Sequence, residues 1–164
     1  MRILIFTEGT LIMHSGARGF IREAIVKQVK AGTDPSIHNW STYIPIGAAV
    51  EKLQKWKRQG ARILYLTSRV RPLEVKDIKG ALKNHGFPNG WVLFRQQGEE
   101  YKDVVEKALP DVLVEDDCES IGGREKLTIA NIDPALKTKI KSVIVKEFEG
   151  IDHLPDDISN LRLQ

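Results

Sequence analysis

The sequence predicts an α/β protein built on a mostly parallel sheet, and two observations carry that expectation. Short apolar runs at residues 2–6, 63–66, 91–94 and 112–114 alternate with stretches of helical periodicity, the pattern of strands covered on both faces. The length, 164 residues, suits one domain that buries about two-thirds of its unfolded surface. With 41% apolar and 29% charged residues, the chain can fill a core and solvate its outside, so disordered and fibrous classes are excluded.

The first strand, residues 2–6, is closed by the turn Glu8-Gly9-Thr10. Phe20, Ile21, Ile25, Val26 and Val29 recur at helical spacing and predict a helix over 20–29, closed by Gly32. Residues 33–45, with two prolines and an isolated Trp40, read as a loop or small excursion. A helix is expected over 47–59, stopped by Gly60, followed by a strand at 63–66. Pro72 suits a helix start because its missing N–H is unpaired there in any case, and that helix is expected to run to His85 before Gly86. A strand at 91–94 and a helix over 99–109, acidic at its positive end, come next. Beyond the strand at 112–114 and the Gly122-Gly123 turn, a helix is expected over 134–141 and a strand over 143–145. The closing residues 149–164 carry Leu154, Ile158, Leu161 and Leu163, which suit packing on the body or on a second subunit.

Composition narrows the setting. No run approaches the ~18 apolar residues of a membrane span, and the opening apolar run is too short for a secretory signal. One cysteine, Cys118, allows no internal disulfide and fits a reducing compartment, so a cytoplasmic location is expected. Neighbouring Asp116, Asp117 and Glu119 discourage a thiolate there, which makes it a bystander. The formal charge is +3. Lys52, Lys55, Lys57, Arg58 and Arg62 form the densest basic stretch, interleaved with Val50, Leu53 and Trp56 at helical spacing. That pattern predicts a solvated outer face, and nucleic acid is not expected as a partner.

Three segments follow directly on three strands: Thr7-Glu8-Gly9-Thr10, Thr67-Ser68-Arg69 and Glu115-Asp116-Asp117. In open parallel sheets the ligand lies beyond the carboxyl ends of the strands, so neighbouring strands gather these segments into one crevice, with Lys102 within reach. Singly, each has an ordinary explanation as a cap, a turn or a solvated charge. Jointly, hydroxyl donors, a cation and carboxylates suit a phosphoryl group with a divalent cation.

With these segments, the chain resembles the haloacid dehalogenase (HAD) superfamily of phosphatases and related hydrolases. The resemblance runs from Met1 to Gly123 in the family's motif order: the first strand and its Gly9-Thr10, then Ile44-Pro45-Ile46-Gly47-Ala48 through Gly60 to Leu66-Thr67-Ser68-Arg69, then Lys102, then Pro110-Asp111 through Asp116-Asp117. It implies a HAD-like three-layer sandwich occupying 1–164, with residues 13–45 as a small cap or excursion. In the family the first strand ends in D-x-D-G-T, whose first aspartate attacks phosphorus and whose second is a general acid. By resemblance, Glu8 falls at the acid position and Lys102 at the lysine, the catalytic pair. Thr67, Ser68, Gly9 and Thr10 fall at phosphate-binding positions, and Asp116, Asp117 and Glu8 at the Mg²⁺ positions.

Phe6 stands at the nucleophile position. A phenyl ring offers neither an attacking atom nor a metal-ligand oxygen, and loss of a nucleophile costs about six orders of magnitude in one protease series. The expected function is therefore a degenerate phosphatase site, non-catalytic or weakly active, that binds a phosphorylated small molecule. The alternative is an active Mg²⁺-dependent phosphohydrolase that uses Glu8 and a metal-bound water in place of the nucleophile. His14, His38, His85 and His153 show no paired metal spacing and are expected to be structural, with His14 near the crevice mouth. Arg18, Arg22 and Trp40, in the excursion, suit either ligand contact or exposed charge and an anchoring indole.

Overall fold

The computed structural model describes residues 1–163. Its strands are β1 (Arg2–Phe6), β2 (Ile12–Met13), β3 (Ile44–Pro45), β4 (Arg62–Leu66), β5 (Trp91–Leu93), β6 (Val112–Asp116) and β7 (Lys141–Val145). Helices α1 (Arg22–Ala31), α2 (Ala49–Arg58), α3 (Pro72–Asn84) and α4 (Tyr101–Ala108) connect them, with single turns α5 (Thr128–Asn131) and α6 (Pro134–Lys137) later. Five strands form one sheet in the order β5-β4-β1-β6-β7, all parallel. The chain builds outward from β1 through β4 to β5, then returns to the other side of β1 for β6. That reversal places a crevice at the carboxyl ends of β4, β1 and β6.

Side chains alternate along each strand, so β1 feeds two cores. Ile3 and Ile5 join Leu53 and Trp56 of α2 and Ile78 of α3 on one face. Leu4 joins Val104 and Val105 of α4 on the other. The result is the α/β three-layer arrangement expected from the alternating pattern.

Local chemistry explains where elements stop. Gly32 ends α1 in the left-handed region (φ 65). Glu100 and Asp103 form a reciprocal capping box at the start of α4, a device worth about 1 kcal/mol. Phe20 and Ile21 precede α1 rather than entering it, and both are exposed. The helix expected over 134–141 is a single turn, because Lys141 already pairs with Val112 and begins β7. Residues 14–43 leave and rejoin the body through the antiparallel pair β2–β3.

The basic stretch is not uniformly solvated. Lys52 is buried, and its ammonium donates to the Leu154 carbonyl at 2.6 Å and to Asp156 at 2.7 Å. The closing segment lies on the body: Leu154 and Leu161 are buried, Trp56 donates its indole N–H to the Pro155 carbonyl at 2.9 Å, and Leu163 is exposed. Gln164 lies outside the described residues. Among the described residues no helix is long and apolar enough to cross a membrane.

Candidate functional site

A cavity of about 320 Å³ opens at the carboxyl ends of the central strands, and Phe6, Glu8, Ser68, Arg69, Asp116 and Glu147 line it together. Register explains the convergence. Phe6 is level with Leu66 at the end of β4, and Asp116 with Val145 at the end of β7. The excursion closes the opposite wall with Met13, Ile37, Trp40 and Tyr43.

The floor is aromatic. The ring of Phe6 meets that of Tyr101 edge-on, with centroids 5.3 Å apart, a pairing worth about 0.5–1.5 kcal/mol beyond area burial. Burial raises the Tyr101 hydroxyl pKa, so it stays neutral.

Glu8 turns toward the end of β4. Its carboxylate accepts from the Thr67 hydroxyl at 2.8 Å, the Ser68 hydroxyl at 3.0 Å and the Ser68 N–H at 3.3 Å, and also from Thr7. Arg69 approaches it at 3.4 Å, and the same guanidinium stacks 4.2 Å over the Trp40 ring. Thr67 and Ser68 thus act as anion donors, and the anion they hold is the chain's own carboxylate. A short loop makes this possible: the N–H groups of Leu11 and Ile12 return to the Thr7 carbonyl at 2.8 and 3.0 Å.

Gly9 and Thr10 are engaged differently from their expected phosphate-binding role. The Gly9 N–H donates to the Ile12 carbonyl at 2.9 Å, and the buried Thr10 hydroxyl donates to Asp116 Oδ2 at 2.9 Å. Both donors are spent on the loop and on positioning an acid. Gly9 adopts φ +80, and a Cβ there would lie 2.8 Å from Asp116 Oδ2.

Lys102 is not brought into the cavity. Tyr101 faces the crevice, and one residue further rotates the side chain about 100° around a helix. Its ammonium is therefore directed to Glu100 at 3.4 Å. The cation beside Glu8 is Arg69.

Asp116 and Asp117 meet a third acid, Glu147, with carboxylate oxygens all within 4.8 Å of one another. Glu8 is outside this trio. Glu147 stands two residues beyond β7, the same kind of strand-end position as Asp117 after β6, and that placement is the signal in the sequence. Ser120 holds it through its N–H at 2.7 Å and hydroxyl at 2.6 Å. Burial, then the charge of Glu147, pushes Asp116 up to about 7. Glu147 is also raised, chiefly by burial. Arg22 partly compensates, donating to both Asp117 oxygens at 3.1 and 3.0 Å and to the Glu147 carbonyl at 2.9 Å. Three hard oxygen donors with more negative charge than one guanidinium offsets fit a divalent cation.

Other residues are structural. Glu115 caps α5 through the Thr128 and Ile129 N–H groups at 2.7 and 3.0 Å. His14 is buried against Gln28 at 3.2 Å, and His85 meets the Tyr43 carbonyl at 3.0 Å. Arg18 is exposed. The Cys118 thiol is raised to about 12 by burial and then by Asp116, which keeps it protonated.

No family model and no curated protein matches this sequence. Solved structures do match in shape. A class C acid phosphatase from Bacillus anthracis superposes with a TM-score of 0.59 at 13% identity, covering 91% of this chain and 67% of that one. Its tungstate-bound form gives 0.57 at 13% identity, covering 99% and 77%. A chain of the Pnkp1/Rnl/Hen1 RNA repair complex gives 0.52 at 15% identity, covering 89% of this chain and only 42% of that one. Likeness at this identity speaks to architecture alone, and with the five-stranded parallel sheet it establishes that this chain has a HAD-like α/β fold.

Proposed function

We propose that the chain is a non-catalytic binder of a phosphorylated small molecule, built on a phosphohydrolase-type scaffold. The observation that carries this reading is Phe6: the position at the end of β1 where the resemblance expects an attacking carboxylate is a ring packed on Tyr101. Two further features support it. Glu8 is engaged with Thr67 and Ser68 instead of being poised as an acid, and Lys102 pairs with Glu100 and is not among the residues that line the cavity.

Anion binding remains within the chemistry of the site. The donors that hold a carboxylate have the geometry to hold phosphoryl oxygens, and Arg69 adds a positive charge. A phosphorylated ligand displaces Glu8 from them, while Trp40, Tyr43 and Met13 cover its apolar part in the lid made by residues 13–45. Asp116, Asp117 and Glu147 would hold Mg²⁺, which when bound offsets phosphoryl charge. The single thiol and the absence of a disulfide suit a cytoplasmic setting.

Calorimetric titration with a panel of phosphorylated metabolites and with inorganic phosphate, with and without Mg²⁺, tests the reading alongside a phosphate-release assay. The expected result is saturable binding with release at background, for the native chain and for Phe6→Asp alike. Mg²⁺-dependent release by the native chain that Asp116→Asn slows would overturn it.

A further inference from the structure

At the opposite end of the sheet, where the strands begin, a groove of about 900 Å³ is walled by Arg2, Lys57, Arg62, Lys79 and Lys83, with Trp91 at its edge. All five cations are exposed, and no Asp or Glu lines the groove. Among the described residues none of the five has a carboxylate within ion-pair distance.

Strand register makes the arrangement specific. Arg2 is paired directly with Arg62 across β1 and β4, and Trp91 with Leu64 across β4 and β5. Alternation then puts Arg2, Arg62 and Trp91 on the face of the sheet that carries Leu4 and Leu64. Like charges directly opposite each other on adjacent strands are destabilising, and an anion between them removes that cost. Lys57, near the end of α2, and Lys79 and Lys83, in the second half of α3, reach the groove from the other face, round the sheet's lower rim.

The wall is fixed in place. The Tyr65 hydroxyl donates to the Pro88 carbonyl at 2.6 Å, and a Cβ on Gly90 would lie 2.4 Å from the Ile63 carbonyl oxygen. Loop 87–90 is thus packed hard against β4. Trp91, 79% exposed, is the largest apolar side chain left to water in this region. It also borders an apolar hollow of about 400 Å³ lined by Leu64, Val92, Leu93 and Phe94.

We infer that this groove binds single-stranded nucleic acid, its cations tracking the phosphates while Trp91 stacks on a base. A row of unpaired cations beside an exposed indole is the combination such strands recognise. A peptide of acidic residues alone would satisfy the charges and offer nothing to stack on the indole. The site is independent of the crevice, from which the sheet separates it, and it revises the expectation that the basic stretch is a solvated face. That expectation considered residues 52–62 alone, whereas the groove adds Arg2 of β1 and Lys79 and Lys83 of α3.

The test is fluorescence anisotropy of a labelled 12-nucleotide single-stranded oligomer, in DNA and RNA forms, titrated with the chain from 50 to 300 mM salt. The expected plot of log K against log salt has a slope of about −0.7 per phosphate neutralised, so about −3.5 for five contacts. The double variant Arg62→Gln/Lys83→Gln is expected to reduce that slope to about −2. Trp91→Ala is expected to lose about ten-fold in affinity with the slope unchanged, and Trp91→Phe to recover most of it. All three positions are exposed, and circular dichroism of each variant checks that the fold is retained. The inference is overturned by no binding at 50 mM salt, or by binding that these variants leave unchanged. It is equally overturned if polyglutamate or a duplex competes as well as unlabelled single strand does.

Discussion

Glu8 accepts a hydrogen bond from the hydroxyl of Thr67, 59 residues away, at 2.8 Å. With Ser68 and Arg69 on the same carboxylate, an internal anion sits on donors suited to an external one. Any phosphorylated ligand must compete with it.

Removing that competitor is therefore expected to strengthen anion binding. Glu8→Ala vacates the donors and deletes a negative charge, and hydrogen bonds to charged groups contribute about 1.5–3 kcal/mol. The affinity for inorganic phosphate, measured by calorimetry, is expected to rise roughly ten-fold or more. Glu8→Ala/Ser68→Ala is expected to give back much of that gain. Unchanged phosphate affinity in Glu8→Ala would refute the competition.

Gly9 faces a different demand. Its φ of +80 and the 2.8 Å approach of Asp116 Oδ2 exclude a side chain, and that carboxylate is fixed by Thr10 and by the Cys118 N–H at 2.9 Å. Gly9→Ala is expected to destabilise the chain by about 1–3 kcal/mol. Gly60, with φ +90 and open space around it, is the control: Gly60→Ala carries the backbone strain without the clash. Thermal denaturation of both variants should show the larger drop for Gly9→Ala.

The elements that position the crevice were legible because burial on both faces forces continuous apolar runs, as in Ile3-Leu4-Ile5 and Val112-Leu113-Val114. The strand-end segments followed from them, and so did Thr67, Ser68 and Asp116. The partners of those residues were harder to read. Arg22 and Asp117 are 95 residues apart, and nothing local in a helix start marks it as the counter-charge of a distant acid. The direction of Lys102 depends on helical phase, which is set by Tyr101 packing on Phe6. Glu8 was read from its place in a motif, whereas its orientation depends on the hydroxyls of Thr67 and Ser68 just beyond β4. Side-chain chemistry shows in sequence, but side-chain direction depends on what else packs there.

Arg22 offers a way to probe the acidic trio. Its guanidinium is the counter-charge that Asp117 and the Glu147 backbone share, and both side chains are partly exposed. Breaking a buried ion pair costs about 3–5 kcal/mol, and partial exposure lowers this to about 2 kcal/mol for Arg22→Gln. The variant's loss is expected to be partly restored by millimolar Mg²⁺, which supplies the missing positive charge. Differential scanning fluorimetry with Mg²⁺ and with EDTA reads the effect. A melting temperature in Arg22→Gln indifferent to both would count against the trio as a cation site.

The closing segment carries a pH dependence whose sign is fixed by Asp156. Hydrogen bonds from Lys52 and then Lys55 hold its carboxyl down at about 2, below the ordinary aspartate value of about 3.9. A depressed acid contributes stability above its unfolded pKa and loses it as pH falls through the folded one. The latch is therefore complete above pH ~4 and released progressively between pH ~4 and ~2. Trp56, whose indole donates to the Pro155 carbonyl, reports the release through its fluorescence. In Asp156→Asn the acid-dependent step in this window is expected to vanish, with the segment held at all pH values only by Leu154 and Leu161 and the neutral hydrogen bonds. Raised salt is expected to weaken the Lys55 pair, the more exposed of the two, before the Lys52 pair. A native-chain transition in this window that persists unchanged in Asp156→Asn would assign the acid step to another carboxyl.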